Sequence, residues 1–111
     1  MADPTPGTVS FLEIGSTDLA ATRKFFGAVF DWPCHDGMWF QTPTIKAGLH
    51  GDDPAAQIYV YFHVADLDAA AARMRAAGGE ASGIKDEGEF GRFVNCKDPG
   101  GISFGLHQAA R

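Results

Sequence analysis

No apolar run in this sequence approaches the ~20 residues that a helix needs to cross a bilayer. The opening Met1-Ala-Asp-Pro-Thr-Pro-Gly7 has neither the basic region nor the apolar stretch of a signal peptide, so a cytoplasmic location is expected. Cysteine is scarce. With only Cys34 and Cys96, a four-ligand thiolate zinc site is excluded, and two idle thiols are expected rather than the disulfide framework of a small secreted domain. Basic residues are also few, 9 against 14 acidic, and the net charge of −5 comes with no basic stripe. Nucleic acid is therefore not an expected partner, whereas an acidic surface suits a cationic ligand and solubility equally well. None of the glycine-rich stretches is a phosphate loop of the Walker or Rossmann kind.

What is present is ordinary globular composition, 45% hydrophobic and 21% charged over 111 residues, enough for one domain with a working core. Two helices stand out. One is expected from about Thr17 to Phe30, with Ser16, Thr17 or Asp18 as cap and Leu19, Phe26, Val29 and Phe30 at helical spacing. The other is expected from about Asp66 to Ala77, with Leu67, Ala70, Ala71 and Met74 on one face and Gly78-Gly79 as its stop. Arg73 and Arg75 suit the negative end of that helix.

The chain also repeats itself. Phe11-Leu-Glu-Ile-Gly-Ser-Thr-Asp18-Leu19 aligns with Tyr59-Val-Tyr-Phe-His-Val-Ala-Asp66-Leu67, and Ala47-Gly-Leu-His50 aligns with Phe104-Gly-Leu-His107. The matches occur in the same order, as an internal duplication requires. Each half reads as strand, helix and three short strands. The clearest later strands are Met38–Thr42, Thr44–His50, Arg92–Lys97 and Ile102–His107, the last two joined by the turn signal Asp98-Pro-Gly-Gly101. The expected class is α+β, with two βαβββ modules forming a cup-shaped mixed sheet and helices outside. Residues 1–8 form a tail, 9–51 the first module, 52–57 a linker and 58–108 the second module, both modules making a single domain. Residues 83–91 read as a polar loop with a short strand at most.

Strand alternation sorts the side chains by face. Leu12 and Ile14, Ile45, Ala47 and Leu49, Val60, Phe62 and Val64, and Ile102, Phe104 and Leu106 make an aliphatic set for the helices to cover. The opposite set holds Phe11, Glu13, Lys46, Gly48, His50, Tyr59, Tyr61, His63, Ser103, Gly105 and His107. Aromatic, imidazole and carboxylate groups together make a poor dry core and a reasonable lining for a partly wet cavity; a solvent-facing sheet is the alternative. Between Met38/Phe40 and Trp39/Gln41, Trp39 is expected to line that cavity. His63 reads as a rim position, Cys34–His35 as a turn rather than a nucleophile pair, and Arg92 as a strand arginine or an anion contact.

The strand–Asp–helix segments at Phe11–Phe30 and Tyr59–Ala77, the stretch Phe25-Phe-Gly-Ala-Val-Phe-Asp-Trp32 and the ending Asp98-Pro-Gly-Gly-Ile-Ser-Phe-Gly-Leu-His-Gln108 resemble the vicinal oxygen chelate superfamily. That group contains glyoxalases, bleomycin-resistance proteins and extradiol dioxygenases, and the resemblance covers Val9 to Gln108. It implies paired βαβββ units and a homodimer, sometimes with units swapped between chains. In metal-dependent members the ligands stand seven residues before the helix-opening Asp and in the last strand of each unit. Here those positions hold Phe11, Tyr59, Gly48 and Gly105, none of which is a usual ligand for a divalent ion. The resemblance thus leads to a protein with no cofactor. Two residues beyond each vacancy stand Glu13, Tyr61, His50 and His107, and a displaced zinc, iron or manganese site on Glu13, His50 and His107 is the alternative.

The function expected is binding of a small organic ligand, aromatic and possibly cationic, in a metal-free cavity, as in drug-sequestering members associated with antibiotic resistance. Phe11, Trp39, Tyr59 and Tyr61 would enclose it, and Glu13, His50 and His107 would anchor it. A lyase, isomerase or dioxygenase on the displaced metal site is the competing reading, and an accessory domain that binds no small molecule is a third. No membrane association is expected.

Overall fold

The computed structural model describes residues 4–110, so residues 1–3 of the expected tail lie outside the described residues. The element order is β1 (Val9–Gly15), α1 (Leu19–Phe30), β2 (Cys34–His35), β3 (Trp39–Gln41), β4 (Lys46–His50), β5 (Gln57–His63), α2 (Leu67–Ala76), β6 (Glu80–Ala81), β7 (Lys85–Asp86), β8 (Arg92–Lys97) and β9 (Ser103–Gln108). The class is α+β, as the repeat leads one to expect. The chain divides into two compact units: a first, Phe11–Val60, and a second, the residues through Ser10 together with those from Tyr61 on.

The first unit carries strands in the order β2-β3-β4-β1, antiparallel except for the parallel β4–β1 pair. The second carries β5-β9-β8-β6, with β7 also on β8 and the β5–β9 pair again parallel. Residues 83–91, expected to be a polar loop with a short strand at most, hold the 2-residue β7 and a turn of 3-10 helix at Gly88–Phe90, and the 2-residue β6 precedes them. Both strands sit on β8, which makes them the third strand of the module broken in two.

Helix starts follow the sequence closely. Asp18 accepts the Ala21 N–H (3.1 Å) and Asp66 accepts the Ala69 N–H (3.0 Å), each filling one orphan donor of a first turn. Gly78, at φ +97, stops α2, whereas α1 ends on Asp31 in the left-handed region at φ 55. No helix among the described residues is long and apolar enough to cross a membrane.

The aliphatic face forms the two cores. In the first unit Ile14, Phe40, Ala47 and Leu49 pack with Leu12, Leu19, Phe26 and Trp32. In the second, Leu67, Ala70, Val94, Cys96 and Leu106 pack with Phe62, Val64, Met74 and Phe104 among others. Two expectations fail. Val29 and Phe30 are 54% and 50% exposed: Val29 is rotated ~60° past Phe26 and off the covered stripe, and Phe30 at the helix end stacks on Trp32 at 4.5 Å instead. Ile102 is 67% exposed, because its N–H is held by the Asp98 carboxylate at 2.7 Å in the turn and the strand begins only at Ser103. Cys34 is exposed, Cys96 is buried, and both are free thiols.

Candidate functional site

A group of mutually bonded polar side chains lies in the first unit and grows from the parallel β1–β4 register. That register sets Glu13 opposite Gly48 and Gly15 opposite His50. Both glycines are needed for their lack of a side chain. A Cβ on Gly48 would lie 2.2 Å from Glu13 Oε2, and one on Gly15 would lie 2.1 Å from Asp53 Oδ2 and 2.6 Å from His50 Nε2. Glu13 and the His50–Asp53 pair therefore rest directly on neighbouring backbone.

His50 is held from both sides. Its Nδ1 is 3.0 Å from Glu13 Oε1 and its Nε2 is 3.0 Å from Asp53 Oδ2. Carboxylate oxygens accept only, so both ring nitrogens carry hydrogens and His50 is an imidazolium between two carboxylates. Burial works against that charge, but the bonds and fields of Glu13 and Asp53 outweigh it and raise the His50 pKa above 6.5. The Ala55 N–H, then the His50 imidazole, hold Asp53 below its ordinary range. Tyr59 stacks on the His50 ring with centroids 6.2 Å apart, and its hydroxyl accepts from Gln57 (2.6 Å) and points at Asp53 (3.5 Å). Burial and the Asp53 charge raise the Tyr59 pKa. Asp53 and Gln57 were not singled out in the sequence. Their signal would have been position alone, since the last strand of the unit aims His50 at whatever follows it.

The array leaves one acceptor open. Both Asp53 oxygens are engaged, and Glu13 Oε1 faces His50, whereas Glu13 Oε2 has no hydrogen bond among the described residues. Phe11 is half-buried on β1, two residues before Glu13. Trp39, also half-buried, stacks on His35 (4.3 Å) and carries the Lys46 ammonium over its ring at 4.5 Å. That contact accounts for His35, which makes no pair with Cys34.

The remaining candidates belong to the second unit. Tyr61 is 5% exposed, with its hydroxyl donated to Asn95 and its ring edge-on to Phe93. His107 is 7% exposed, with Nδ1 2.6 Å from the Ser10 hydroxyl and Nε2 2.8 Å from the Phe90 carbonyl. A carbonyl only accepts, so Nε2 bears the hydrogen and the bare Nδ1 accepts from Ser10. Burial pushes the His107 pKa down, against protonation. Arg92 pairs with Asp68 at 3.2 Å.

These donors do not fit a divalent ion. At the four positions that the resemblance assigns to ligands, Phe11 has no donor atom, the Tyr59 hydroxyl is tied to Gln57 and Asp53, and the space beside Gly48 and Gly105 is filled by Glu13 and Tyr61. In the displaced set, His50 turns both nitrogens to carboxylates and His107 engages both of its own, so neither offers a free lone pair.

The two histidines give opposite pH dependences. His50, raised, contributes stability that is whole below 6.5 and is lost as pH rises through its folded value. His107, lowered, contributes stability that is whole above 6.5 and is lost as pH falls towards its folded value. In urea unfolding across this window, His50→Gln should flatten the alkaline limb and His107→Gln the acid limb. Unchanged slopes in both variants would refute the assignment.

Residues 11–107 match the family model of a glyoxalase-like domain. No curated protein sequence matches the chain. Among solved structures, methylmalonyl-CoA epimerase from Mycobacterium tuberculosis superposes with a TM-score of 0.70 at 16% identity, covering 100% of this chain and 94% of that one. The Streptomyces coelicolor epimerase (S115T) in complex with 2-nitronate-propionyl-CoA gives 0.69 at 17% identity, covering 96% of each chain. An extradiol ring-cleaving dioxygenase from B. fuscum gives 0.68 at 19% identity over 97% of this chain and 34% of that one. At these identities the likeness is one of fold.

Proposed function

We propose, on the premise that this chain belongs to the glyoxalase-like domain family and so to the vicinal oxygen chelate superfamily, that it binds a small aromatic cation without a metal. The observation that carries this reading is the open Oε2 of Glu13, fixed on the Gly48 backbone and on His50 beside the Tyr59 ring. A carboxylate held rigid before the ligand arrives loses little entropy on binding, and an adjacent aromatic face adds stacking and cation–π attraction. With His50 charged, Glu13, His50 and Asp53 together still carry one net negative charge, which favours a cation over an anion. Phe11 and Trp39 would supply further aromatic surface. Tyr61 and His107 are engaged within the second unit.

Sequestration of such a ligand, the role suggested by bleomycin-resistance members, in the cytoplasm and by a homodimer, completes the proposal. The competing metal-dependent lyase or dioxygenase is less well supported, since both nitrogens of His50 face carboxylates and both of His107 are engaged by Ser10 and Phe90.

Benzylammonium is the probe and benzyl alcohol its neutral match. Benzylammonium should raise the melting temperature saturably and the alcohol should not. Glu13→Gln, which keeps the shape and removes the charge, should weaken benzylammonium at least tenfold, equivalent to ~1.4 kcal/mol. Equal responses to both compounds would overturn the reading. So would about one zinc, iron or manganese per chain in the purified protein, lost in His50→Ala and His107→Ala.

A further inference from the structure

The β5–β9 register of the second unit repeats the β1–β4 register of the first: His50 faces Gly15, and His107 faces His63. The residue types differ, and the chemistry differs with them. In the first unit the glycine lets the histidine lie on backbone and reach a carboxylate three residues on, Asp53. In the second unit His63 stands where the first has glycine, and three residues after His107 comes Ala110. No carboxylate completes the group. His107 turns instead to Ser10 and the Phe90 carbonyl.

His63 is only 3% exposed, yet its Nε2 has no hydrogen-bond partner among the described residues. The backbone holds it in place, since its N–H donates to Thr8 O (2.7 Å) and its carbonyl accepts from Gly7 (2.8 Å). A buried polar atom with no partner costs about 1–3 kcal/mol and marks a place for something the chain itself does not supply. No carboxylate among the described residues is bonded to His63, so a cation there would meet no balancing charge, while Nε2 in its N–H tautomer calls for an acceptor.

We propose that His63 Nε2 anchors a second binding site, distinct from the Glu13 array, that takes an oxygen acceptor of a small organic molecule, a carboxylate or a carbonyl. The two units then offer opposite chemistry. The first presents an open carboxylate oxygen, and the second presents a buried imidazole nitrogen, unpartnered among the described residues, that donates in its Nε2–H tautomer.

The test follows the His63 imidazole in 15N–1H spectra of the 15N-labelled chain, titrated with sodium acetate, acetamide and ethanol. Acetate alone shifting the Nε2 resonance saturably identifies a carboxylate site, and acetamide acting equally identifies a carbonyl site. Ethanol and methylammonium chloride at matched ionic strength should leave it unmoved. Stabilisation by the active compound should fall at least tenfold in apparent affinity in His63→Phe and persist in part in His63→Gln, which keeps an N–H donor. A resonance unmoved by acetate and acetamide, with Nε2 bonded to water only, overturns the proposal. Glu13→Gln should leave the acetate or acetamide response intact while removing that to benzylammonium, so the failure of either site is separable from the other.

Discussion

Phe40→Ala is expected to lower the unfolding free energy by about 3–5 kcal/mol. The Phe40 ring is 1% exposed, the largest side chain at the centre of the first core, and it packs edge-on against Trp32 at 5.8 Å. Truncation removes its transfer free energy and leaves a void that rigid neighbours on β1 and β4 cannot collapse to fill. A chain of this size has only about 5–15 kcal/mol in total, so the loss is a large fraction. The consequence for function is direct, because β4 carries Ala47 and Leu49 into the same core and, between and after them, Gly48 and His50 into the site. Phe40→Leu, which keeps most of the volume, should cost much less. Equilibrium denaturation in urea measures both, and equal midpoints for Phe40→Ala and wild type would show that the ring is not a core element.

Gly105→Ala should be the second most damaging change, at about 3 kcal/mol, the upper part of the range for overpacking. A Cβ on Gly105 would lie 2.1 Å from two ring carbons of Tyr61 and 2.8 Å from a third. These are atoms of a rigid ring, pinned by its hydroxyl on Asn95 and its edge on Phe93. Gly105 has no positive φ, so the change carries no backbone strain and even recovers ~0.5–1 kcal/mol of chain entropy against that clash. The cost is therefore steric, and it should shrink when Tyr61 is also truncated: the double variant Tyr61→Ala/Gly105→Ala should be less unstable than the sum of the singles. Strict additivity would mean that ring and glycine do not touch. The counterpart in the first unit behaves differently. A Cβ on Gly48 meets Glu13 Oε2 at 2.2 Å, at the end of a side chain held by its bond to His50 and able to turn away once that bond breaks, so Gly48→Ala should cost less stability than Gly105→Ala. It should instead push Glu13 off His50 and remove benzylammonium binding.

Much of this was legible in the chain. Asp18 and Asp66 announced both helix starts, and the duplicated Gly-Leu-His announced the repeat and the last strand of each module. Alternation put Phe40 with Ala47 and Leu49 in one core, because a pleated strand has no freedom to do otherwise once one face is buried. Glu13, His50 and Tyr59 were named from that same alternation, and they meet in one array. Alternation was less useful at the element ends, where Ile102 and Val29 left the core because a turn bond and a helix rotation, not hydrophobicity, set their directions.

Sequence by itself determined the class, the repeat and the face on which each strand residue lies, since these follow from periodicity and local capping. It also determined which residues stand at the positions that the resemblance assigns to metal ligands. Tertiary structure alone decided what those residues do. Glycines at 15, 48 and 105 read as small residues in a strand, and only the cross-strand register shows that Asp53, Glu13 and Tyr61 fill the space they leave. Asp53 lies in the connection beyond β4, which no period constrains, and the fold of that connection brings its carboxylate to His50. The same register gives two matching histidines opposite states, one charged between carboxylates and one neutral against a hydroxyl and a carbonyl. The charge on an imidazole is set by the groups that surround it in space, and sequence distance says little about which groups those are.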